Sequence, residues 1–221
     1  MATTNDVAPA LHDEIMRTLR DSIAHDRQFL RLCDRLAQGK ATYEDTHKVS
    51  QITGEHASRA LQKVLRPDAL PDRRLYYNIA DRTMRPAMEY ADQITANYAD
   101  TMQTLKNQRA GMNIKAIKPR QNVDGINNIC GLASDYEDFE DGLWVLDKPV
   151  QTHVETVVDR FVRANAFFAQ RAGLQPKIVR VAEIECCPWC AGLEGVFAYG
   201  TQPAEVYARH NNCRCTTDYE I

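Results

Sequence analysis

The sequence CCPWC at residues 186–190, followed by RHNNCRC at residues 209–215, contains five of the seven cysteines of the chain. Cys187 and Cys190 have the Cys-x-x-Cys spacing, at which a tight turn directs two sulfur atoms toward one point. A second group of Cys and His, about twenty residues later, can complete a tetrahedral metal site. Together the two sequences predict a structural Zn²⁺ site that stabilises a small module with little core of its own.

The candidate metal ligands are Cys187, Cys190, His210, Cys213 and Cys215. A closed structural zinc site needs four ligands, so one of the five is in excess. The Cys-x-x-Cys pair supplies the first two, and the other three residues compete for the remaining positions. Cys213 and Cys215 are two residues apart and would lie on one face of a strand. His210 could bind the metal or form a hydrogen bond with a ligating thiolate.

Three other uses of the cysteines are less well supported. Disulfide bonds are disfavoured because we expect no secretory signal peptide and find no apolar run long enough to span a membrane. A thioredoxin-like redox site needs no downstream cluster of Cys and His. A zinc deaminase needs a His-x-Glu sequence whose glutamate transfers protons, and we expect none to serve this cluster. Cys186 is expected to remain outside it.

The composition is typical of a globular protein without a strong net charge. The chain has 221 residues, of which 44% are hydrophobic and 26% are charged, and its formal net charge is −3. This length allows one or two domains with a sizeable core. The small negative charge gives no general attraction to nucleic acid or to an acidic membrane, and we expect no membrane contact.

Residues 1–120 are predicted to form an α-helical region. Apolar residues recur at steps of three and four over 11–36, 49–64 and 75–109, which is the spacing of amphipathic helices. Pro86 lies inside the third helix and should end or kink it. Three long helices joined by short breaks favour a helical bundle.

Three local features accompany these helices. Residues 1–9 are mostly small and polar and are expected to form a loose arm. Thr42 can cap the second helix, with Asp45 at the capping-box position. His56 lies on the apolar stripe of that helix, so we expect a hydrogen-bonded core histidine rather than a metal ligand.

The segment after the third helix is first basic and then acidic. Residues 106–120 contain five cations and no acid, whereas residues 121–149 form an acidic connector with many turn residues. We interpret the basic run mainly as a solvated connector with a short strand over 113–118. The alternative is a weak contact with DNA phosphates. The cations available for that contact are Lys106, Arg109, Lys115, Lys118 and Arg120.

Residues 150–221 are predicted to contain one helix and a small β-rich module. The helix covers 150–171, and residues 177–184 alternate and are rich in β-branched side chains, as in a strand. Short strands are also expected over 196–199 and from residue 213 onward. The predicted fold class is therefore α+β, with a long α-helical N-terminal bundle followed by a small β-rich C-terminal module clipped by zinc.

The C-terminal module resembles that of the phage minor head proteins, the Mu protein F-like head-morphogenesis family. The resemblance rests on Arg180 in the predicted strand, on the Cys-Pro-x-Cys of residues 187–190 and on the His-x-x-Cys-Arg-Cys of residues 210–215. It covers residues 150–221, and the last motif is its most specific part. Asn211 departs from the His-Pro of many family members, but it is not a candidate ligand.

The resemblance implies a structural protein of a phage or prophage particle and not an enzyme. Members of the family are minor capsid proteins, present in the virion in few copies, that act in head morphogenesis. The expected partners are the portal and the major capsid protein, and DNA delivery is a further expected role. The expected location is inside the head near the portal, after assembly in the host cytoplasm. The zinc rests on the spacing of the cysteines and not on the resemblance.

Two other functions remain open from the sequence. A zinc-dependent hydrolase or nuclease would need an open metal position and a general base, for which Glu183, Glu185 and Glu194 are close in the sequence. A zinc-binding adaptor protein of the host would act through the helical region.

Arg214, which lies between two candidate ligands, is predicted to pair with an acid or a carbonyl group and to fix the loop.

Overall fold

A helical body carries a small three-stranded sheet, so the predicted α+β class is confirmed. The computed structural model describes residues 6–221. Residues 1–5 of the predicted arm lie outside this part, and Pro9 lies in the first turn of a helix. Within residues 6–221, none of the helices has both the length and the apolar character needed to cross a membrane.

In the described part, six α-helices come first and three strands follow, with one further helical turn between the first and second strands. The α-helices are α1 (Ala8–Ala24), α2 (Arg27–Ala37), α3 (Tyr43–Val64), α4 (Tyr77–Arg109), α5 (Val123–Ser134), α6 (Lys148–Arg171) and the single turn α7 (Pro188–Ala191). The strands are β1 (Lys177–Val181), β2 (Gly195–Ala198) and β3 (Thr216–Glu220). Short 3₁₀ segments occupy Pro67–Ala69, Pro71–Arg73, Phe139–Leu146 and Ala204–Tyr207.

The apolar stripe predicted as one helix over 11–36 belongs to two helices. Asp26 stands between α1 and α2, and its carboxylate accepts hydrogen bonds from the backbone N–H groups of Gln28 and Phe29, both at 2.8 Å. A side-chain acceptor in this position is a helix N-cap, so a new helix begins although the apolar spacing continues. Nε2 of the partly buried His56 lies 2.9 Å from the same carboxylate, in agreement with the prediction of a hydrogen-bonded histidine.

The sequence predicts a capping box at Thr42 and either an end or a kink of the third helix at Pro86. The capping box at the start of α3 is confirmed, because Thr42 and Asp45 exchange hydrogen bonds between side chain and backbone. Pro86 does not end a helix, since α4 runs through it over 33 residues. Met84 and Met88 on either side of the proline are fully buried. Packing therefore outweighs the hydrogen bond that the proline removes.

Residues 121–149 contribute to the core, so the description as an acidic connector is incomplete. Ile126 of α5 is fully buried, and so are Phe139, Val145 and Leu146 of the 3₁₀ segment. Acidic and apolar residues are interleaved along this segment, and the apolar residues named above reach the core. The strand expected over 113–118 does not form, and this stretch has no regular secondary structure.

The helical body is organised around the packing of α3 on α4 and α6, which are the most extensive contacts between elements. Gly54 of α3 faces α6 where the two backbones approach closely. A Cβ built on Gly54 would lie 3.2 Å from both the Cα atom and the carbonyl oxygen of Gln151. Glycine thus permits a helix–helix distance that any larger residue would increase.

The sheet has the strand order β2-β1-β3, and both outer strands are antiparallel to β1. Ile178 of β1 pairs with Phe197 on one side and with Tyr219 on the other. Ile178 and Tyr219 are buried against the helices in the same core as Phe161 of α6. Because β3 packs on α3 and α6, the turn that precedes it lies against both helices.

We expect Gly54→Ala to destabilise the protein and Gly131→Ala to stabilise it. Alanine is favoured over glycine inside a helix by about 0.5–1 kcal/mol, and a Cβ at Gly131 of α5 meets no atom within 4 Å. At Gly54 the α6 backbone has to move by a few tenths of an ångström, and overpacking of this kind costs about 1–3 kcal/mol. Urea unfolding of both variants would measure the difference. Equal stabilisation by both substitutions would contradict the close approach.

Candidate metal centre

The first two cysteines are positioned by the single helical turn α7. Cys187 is its N-cap, and the Cys187 sulfur accepts a hydrogen bond from the backbone N–H of Cys190 at 3.5 Å. Pro188 occupies the first helical position, where the missing N–H of proline has no partner to lose. The local sequence therefore folds into a turn that places both sulfur atoms within 4.8 Å of each other.

The remaining donors are positioned by the turn before β3. The backbone N–H of Cys213 donates to the carbonyl oxygen of His210 at 3.1 Å. Asn212, between them, has a φ of 66°, a left-handed conformation that asparagine tolerates better than most residues. Cys215 follows as the chain enters β3, and Cys213 and Cys215 are both buried.

All five candidate ligands lie in two groups of three that share Cys190, which together we call the Cys/His cluster. Nε2 of His210 lies 3.3 Å from Sγ of Cys187 and 3.1 Å from Sγ of Cys190. Sγ of Cys190 also lies 3.7 Å from Sγ of Cys213, and Cys215 completes this second group. A tetrahedral site with metal–sulfur bonds of about 2.3 Å has ligand atoms about 3.8 Å apart. The Cys/His cluster can therefore hold a metal ion.

Arg180 of β1 gives the cluster a buried positive neighbour. Its side chain is among the largest that are fully buried, and one guanidinium nitrogen lies 3.9 Å from Sγ of Cys190 and 3.7 Å from Sγ of Cys213. The other terminal nitrogen donates to the carbonyl oxygens of Val206 and Ala208. Within residues 6–221 it forms no ion pair with a carboxylate. A buried guanidinium needs negative charge nearby, and here thiolates are the groups that can supply it.

His210 is oriented by its other ring nitrogen. Nδ1 lies 2.6 Å from the carbonyl oxygen of Asn211, so the tautomer with hydrogen on Nδ1 donates this bond. The lone pair on Nε2 then faces the sulfur atoms, as in metal-binding histidines whose second nitrogen is held by an acceptor. Trp189 packs edge-on against the ring, with centroids 5.6 Å apart.

The four thiols of the cluster differ in acidity. Hydrogen bonds from backbone N–H groups, that of Cys190 first, lower the pKa of Cys187. Burial raises the pKa of Cys190 and of Cys213. For Cys215 burial also acts to raise the pKa, but the N–H of Glu183 and the neighbouring thiols outweigh it and the pKa is lowered. Cys190 and Cys213 therefore need a cation beyond Arg180 to be held as thiolates, and a bound metal would provide it.

Several residues that neighbour the Cys/His cluster in the sequence supply no donor atom to it. Cys186 belongs to neither group of donors, and all seven cysteines have free thiols. Glu183, Glu185 and Glu194 are exposed and contribute to neither group. The sequence also contains His-x-Glu at 12–14 and at 153–155. The histidine of the second pairs with a buried carboxylate of α4, and neither sequence belongs to the cluster.

Arg209, the neighbour of His210, attaches the turn at residues 209–215 to α6. Its side chain is 2% exposed, and it forms ion pairs with Glu155, at 3.0 Å, and with Asp159. Asp159 also accepts a hydrogen bond from the hydroxyl of Thr217 at 2.7 Å. Burial raises the pKa of Glu155 to about 7. The pKa of Asp159 is lowered because the Arg209 guanidinium outweighs the effect of burial.

Arg214 attaches the same turn to α3, and the prediction that it pairs with an acid is confirmed. Its guanidinium lies 2.9 Å from Oε1 of Glu55 and 3.6 Å from Oε1 of Glu155. Two arginines that flank the candidate ligands thus reach acids on two different helices. The sequence pattern pointed to Arg214 but not to Arg209.

His47 of α3 is a buried histidine that the sequence analysis missed. Its Nε2 lies 2.9 Å from the carbonyl oxygen of Thr217, and the guanidinium of Arg209 donates to Nδ1 at 3.1 Å. The tautomer with hydrogen on Nε2 donates to this carbonyl and accepts from Arg209, but it cannot accept from the Thr217 backbone N–H, which also lies 2.9 Å from Nε2. Burial lowers the pKa of His47 to about 4, and the charge on Arg209 acts in the same direction. His47 is therefore a neutral link between α3 and β3.

The five cations of the basic run predicted over 106–120 differ in their contacts with the rest of the fold. Nζ of Lys106 lies 2.5 Å from a carboxylate oxygen of Asp218 and 4.9 Å from the ring centroid of Tyr43. Arg109 donates to the carbonyl oxygen of Ala41 at 3.3 Å. These two cations bind groups of the fold, although Arg109 is itself exposed, as are Lys115, Lys118 and Arg120.

No family model, no curated protein and no solved structure matches this chain.

We expect acid to destabilise the protein through His47. Because its pKa is near 4 in the folded protein and about 6.5 in an unfolded chain, its contribution is complete above about pH 6.5 and is lost as the pH falls toward 4. Between pH 7 and pH 5 this amounts to about 2 kcal/mol. His47→Gln, whose amide can still donate to Thr217, should lower stability at pH 7 but remove most of this loss on acidification.

Urea unfolding at the two pH values would measure this effect, with the exposed His25→Gln as a matched control that keeps the loss of the unsubstituted protein. An acid-induced loss in His47→Gln as large as in the control would contradict the assignment.

Proposed function

We propose that the Cys/His cluster holds one structural Zn²⁺ ion. The observation that carries this proposal is the buried guanidinium of Arg180 against the sulfur atoms of Cys190 and Cys213, without a carboxylate to balance it in the described part of the chain. Zinc is favoured among metals because thiolate and imidazole donors in a tetrahedral arrangement are its usual ligands. With three thiolates and one imidazole the site would carry a net negative charge, which the arginine would offset.

The number of donors favours a structural site over a hydrolase or nuclease. A catalytic zinc keeps a position open for water or substrate, with a general base within reach. The cluster offers two groups of three protein donors that share Cys190, and donors from both groups could fill the four positions of one ion without water. The exposed Glu183, Glu185 and Glu194 supply no donor atom to either group. We therefore propose that the protein is not an enzyme.

At the level of the whole protein, we propose a low-copy structural component of a phage or prophage head. The support is the resemblance of residues 150–221 to the Mu protein F-like module, carried by the Cys-Pro-x-Cys and His-x-x-Cys-Arg-Cys motifs. The attachment of that module by ion pairs to α3 and α6, of which the pair with α6 is buried, suits a rigid building block. The proposed partners are the portal and the major capsid protein, and the proposed location is the virion. A host zinc-binding adaptor is the second candidate.

The purified protein should contain about one Zn²⁺ per chain, as a closed four-ligand site requires. Removal of the metal by a chelator should lower the melting temperature, because the small module would lose its main link. Cys190→Ser should abolish the bound zinc, since Cys190 belongs to both groups of donors. Cys33→Ser, on α2 and outside both groups, is the matched control and should keep the metal.

Metal analysis together with thermal unfolding would check each protein. Separate Ser variants of Cys213 and Cys215 would identify the surplus donor as the one whose loss leaves the zinc content unchanged. A metal-free protein with paired, oxidised thiols would contradict the zinc proposal.

The head-protein proposal predicts that the chain is part of the particle. Quantitative mass spectrometry of purified phage particles induced from the source strain should find it at a few copies relative to the major capsid protein. Particles in which all other head proteins are detected but this chain is missing would contradict a virion component. That result would favour the host adaptor.

A further inference from the structure

We propose that this protein associates head to tail with a second copy of itself, through an acidic surface of one copy and a basic groove of the next. The basic groove is defined by Lys118, Arg120, Arg160, Arg163 and Phe167. The acidic surface is defined by Leu132, Asp135, Glu137, Asp141 and Trp144. This proposal rests on the charges and shapes below and does not depend on the proposed function.

The groove lies between α4, α6 and the irregular segment before α5. It consists of a small cavity of about 60 Å³ and a wider one of about 520 Å³, and Pro119 and Arg160 line both. Arg160, Arg163 and Phe167 are spaced by three and four residues, so they lie along one face of α6. The stripe they form is about 10 Å long.

The cations of the groove lack partners in the fold. Within residues 6–221, Lys118, Arg120, Arg160 and Arg163 form no ion pair, and Nζ of Lys118 has only an amide oxygen at 3.5 Å. Burial lowers the pKa of Arg160, and the carboxylate of Asp92 opposes this in part. A partly buried, unpaired guanidinium is stabilised by an external anion. The groove thus fits an occupant with carboxylate or phosphate groups.

Asp92 narrows the choice of occupant. It is 3% exposed and lines the small cavity. One carboxylate oxygen interacts with His153 at 3.1 Å and Gln121 at 3.5 Å, whereas the other has no hydrogen-bond partner in the described residues. A cavity lined by this carboxylate and by Arg120 and Arg160 suits an occupant that brings hydrogen-bond donors together with negative charge. An acidic peptide does so, because its backbone N–H groups donate and its side chains carry the charge. A phosphodiester strand would place phosphates near this carboxylate and near a protein of net charge −3.

The acidic surface of the same chain is opposite in charge to the basic groove. Asp135, Glu137 and Asp141 are exposed and form no ion pair within the described part of the chain. Trp144, 49% exposed, and Leu132, 37% exposed, lie on the same segment. The acidic surface thus combines acidic and apolar groups. The basic groove combines basic and apolar groups in the same way, because its Phe167 is 53% exposed.

The two surfaces of one copy cannot meet each other. The segment that carries the acidic surface is fixed by Phe139 and Leu146, which are fully buried, and it ends where α6 begins. Arg163 lies sixteen residues further along α6 than Asp147, a distance of about 24 Å. The contact must therefore join different copies, and unlike surfaces joined head to tail form rings or open chains.

Charge reversal with rescue tests this contact. Sedimentation velocity should show that the unsubstituted protein associates with rising concentration and that 500 mM salt instead of about 50 mM weakens the association, as for exposed charges. Arg160→Glu with Arg163→Glu should lower the association constant at least tenfold, and so should Asp135→Lys with Glu137→Lys. A mixture of these two double variants should associate again, because each offers the surface that the other needs.

Arg27→Glu with Arg31→Glu, on α2, is the matched control, since it changes the net charge as the groove variant does and should associate like the unsubstituted protein. Circular dichroism and thermal unfolding would confirm that every variant is folded. A protein that stays monomeric at all concentrations would overturn the proposal, and so would a mixture that fails to associate. Binding of a labelled single-stranded oligonucleotide by a monomeric protein, lost in the groove variant, would assign the groove to nucleic acid and equally overturn it.

Discussion

The buried guanidinium of Arg209 is the contact on which the position of the C-terminal module depends. Its side chain and those of Glu155 and Asp159 are at most 5% exposed. Moving charges of this kind out of water costs several kcal/mol for each ion, and the cost is offset only while the partners remain in contact. Separation of the turn at residues 209–215 from α6 would leave unpaired charges in the interior. The ion pairs therefore define one position of the module more strictly than apolar packing alone would.

Candidate ligands and attachment points alternate along the same turn. Arg209 precedes His210, and Arg214 lies between Cys213 and Cys215, so neighbouring side chains reach the Cys/His cluster on one side and the helices on the other. Any shift of the turn would alter the donor distances and the ion pairs together. Binding of a metal would consequently be linked to docking of the module, and stabilisation of either would stabilise the other.

The sequence predicted what local spacing controls. The α+β class, the capping box at Thr42 and the five donors of the Cys/His cluster all follow from patterns within a few turns or from a recurring motif. The sequence analysis missed a local signal at Asp26, which begins a new helix inside a continuous apolar stripe. It also missed contacts between residues that are far apart in the sequence. His47 meets Thr217 across 170 residues, which no local spacing encodes.

That last contact bears on the order in which the protein can fold during synthesis. Tyr219 of β3 belongs to the same core as Val49 of α3, and this core also includes residues of α2, α4 and α6. The N-terminal helices can form and collapse early, but they must wait for the final strand before this core is closed. Until then the apolar face that Tyr219 will cover remains exposed to water, which is the state in which a growing chain is prone to aggregate.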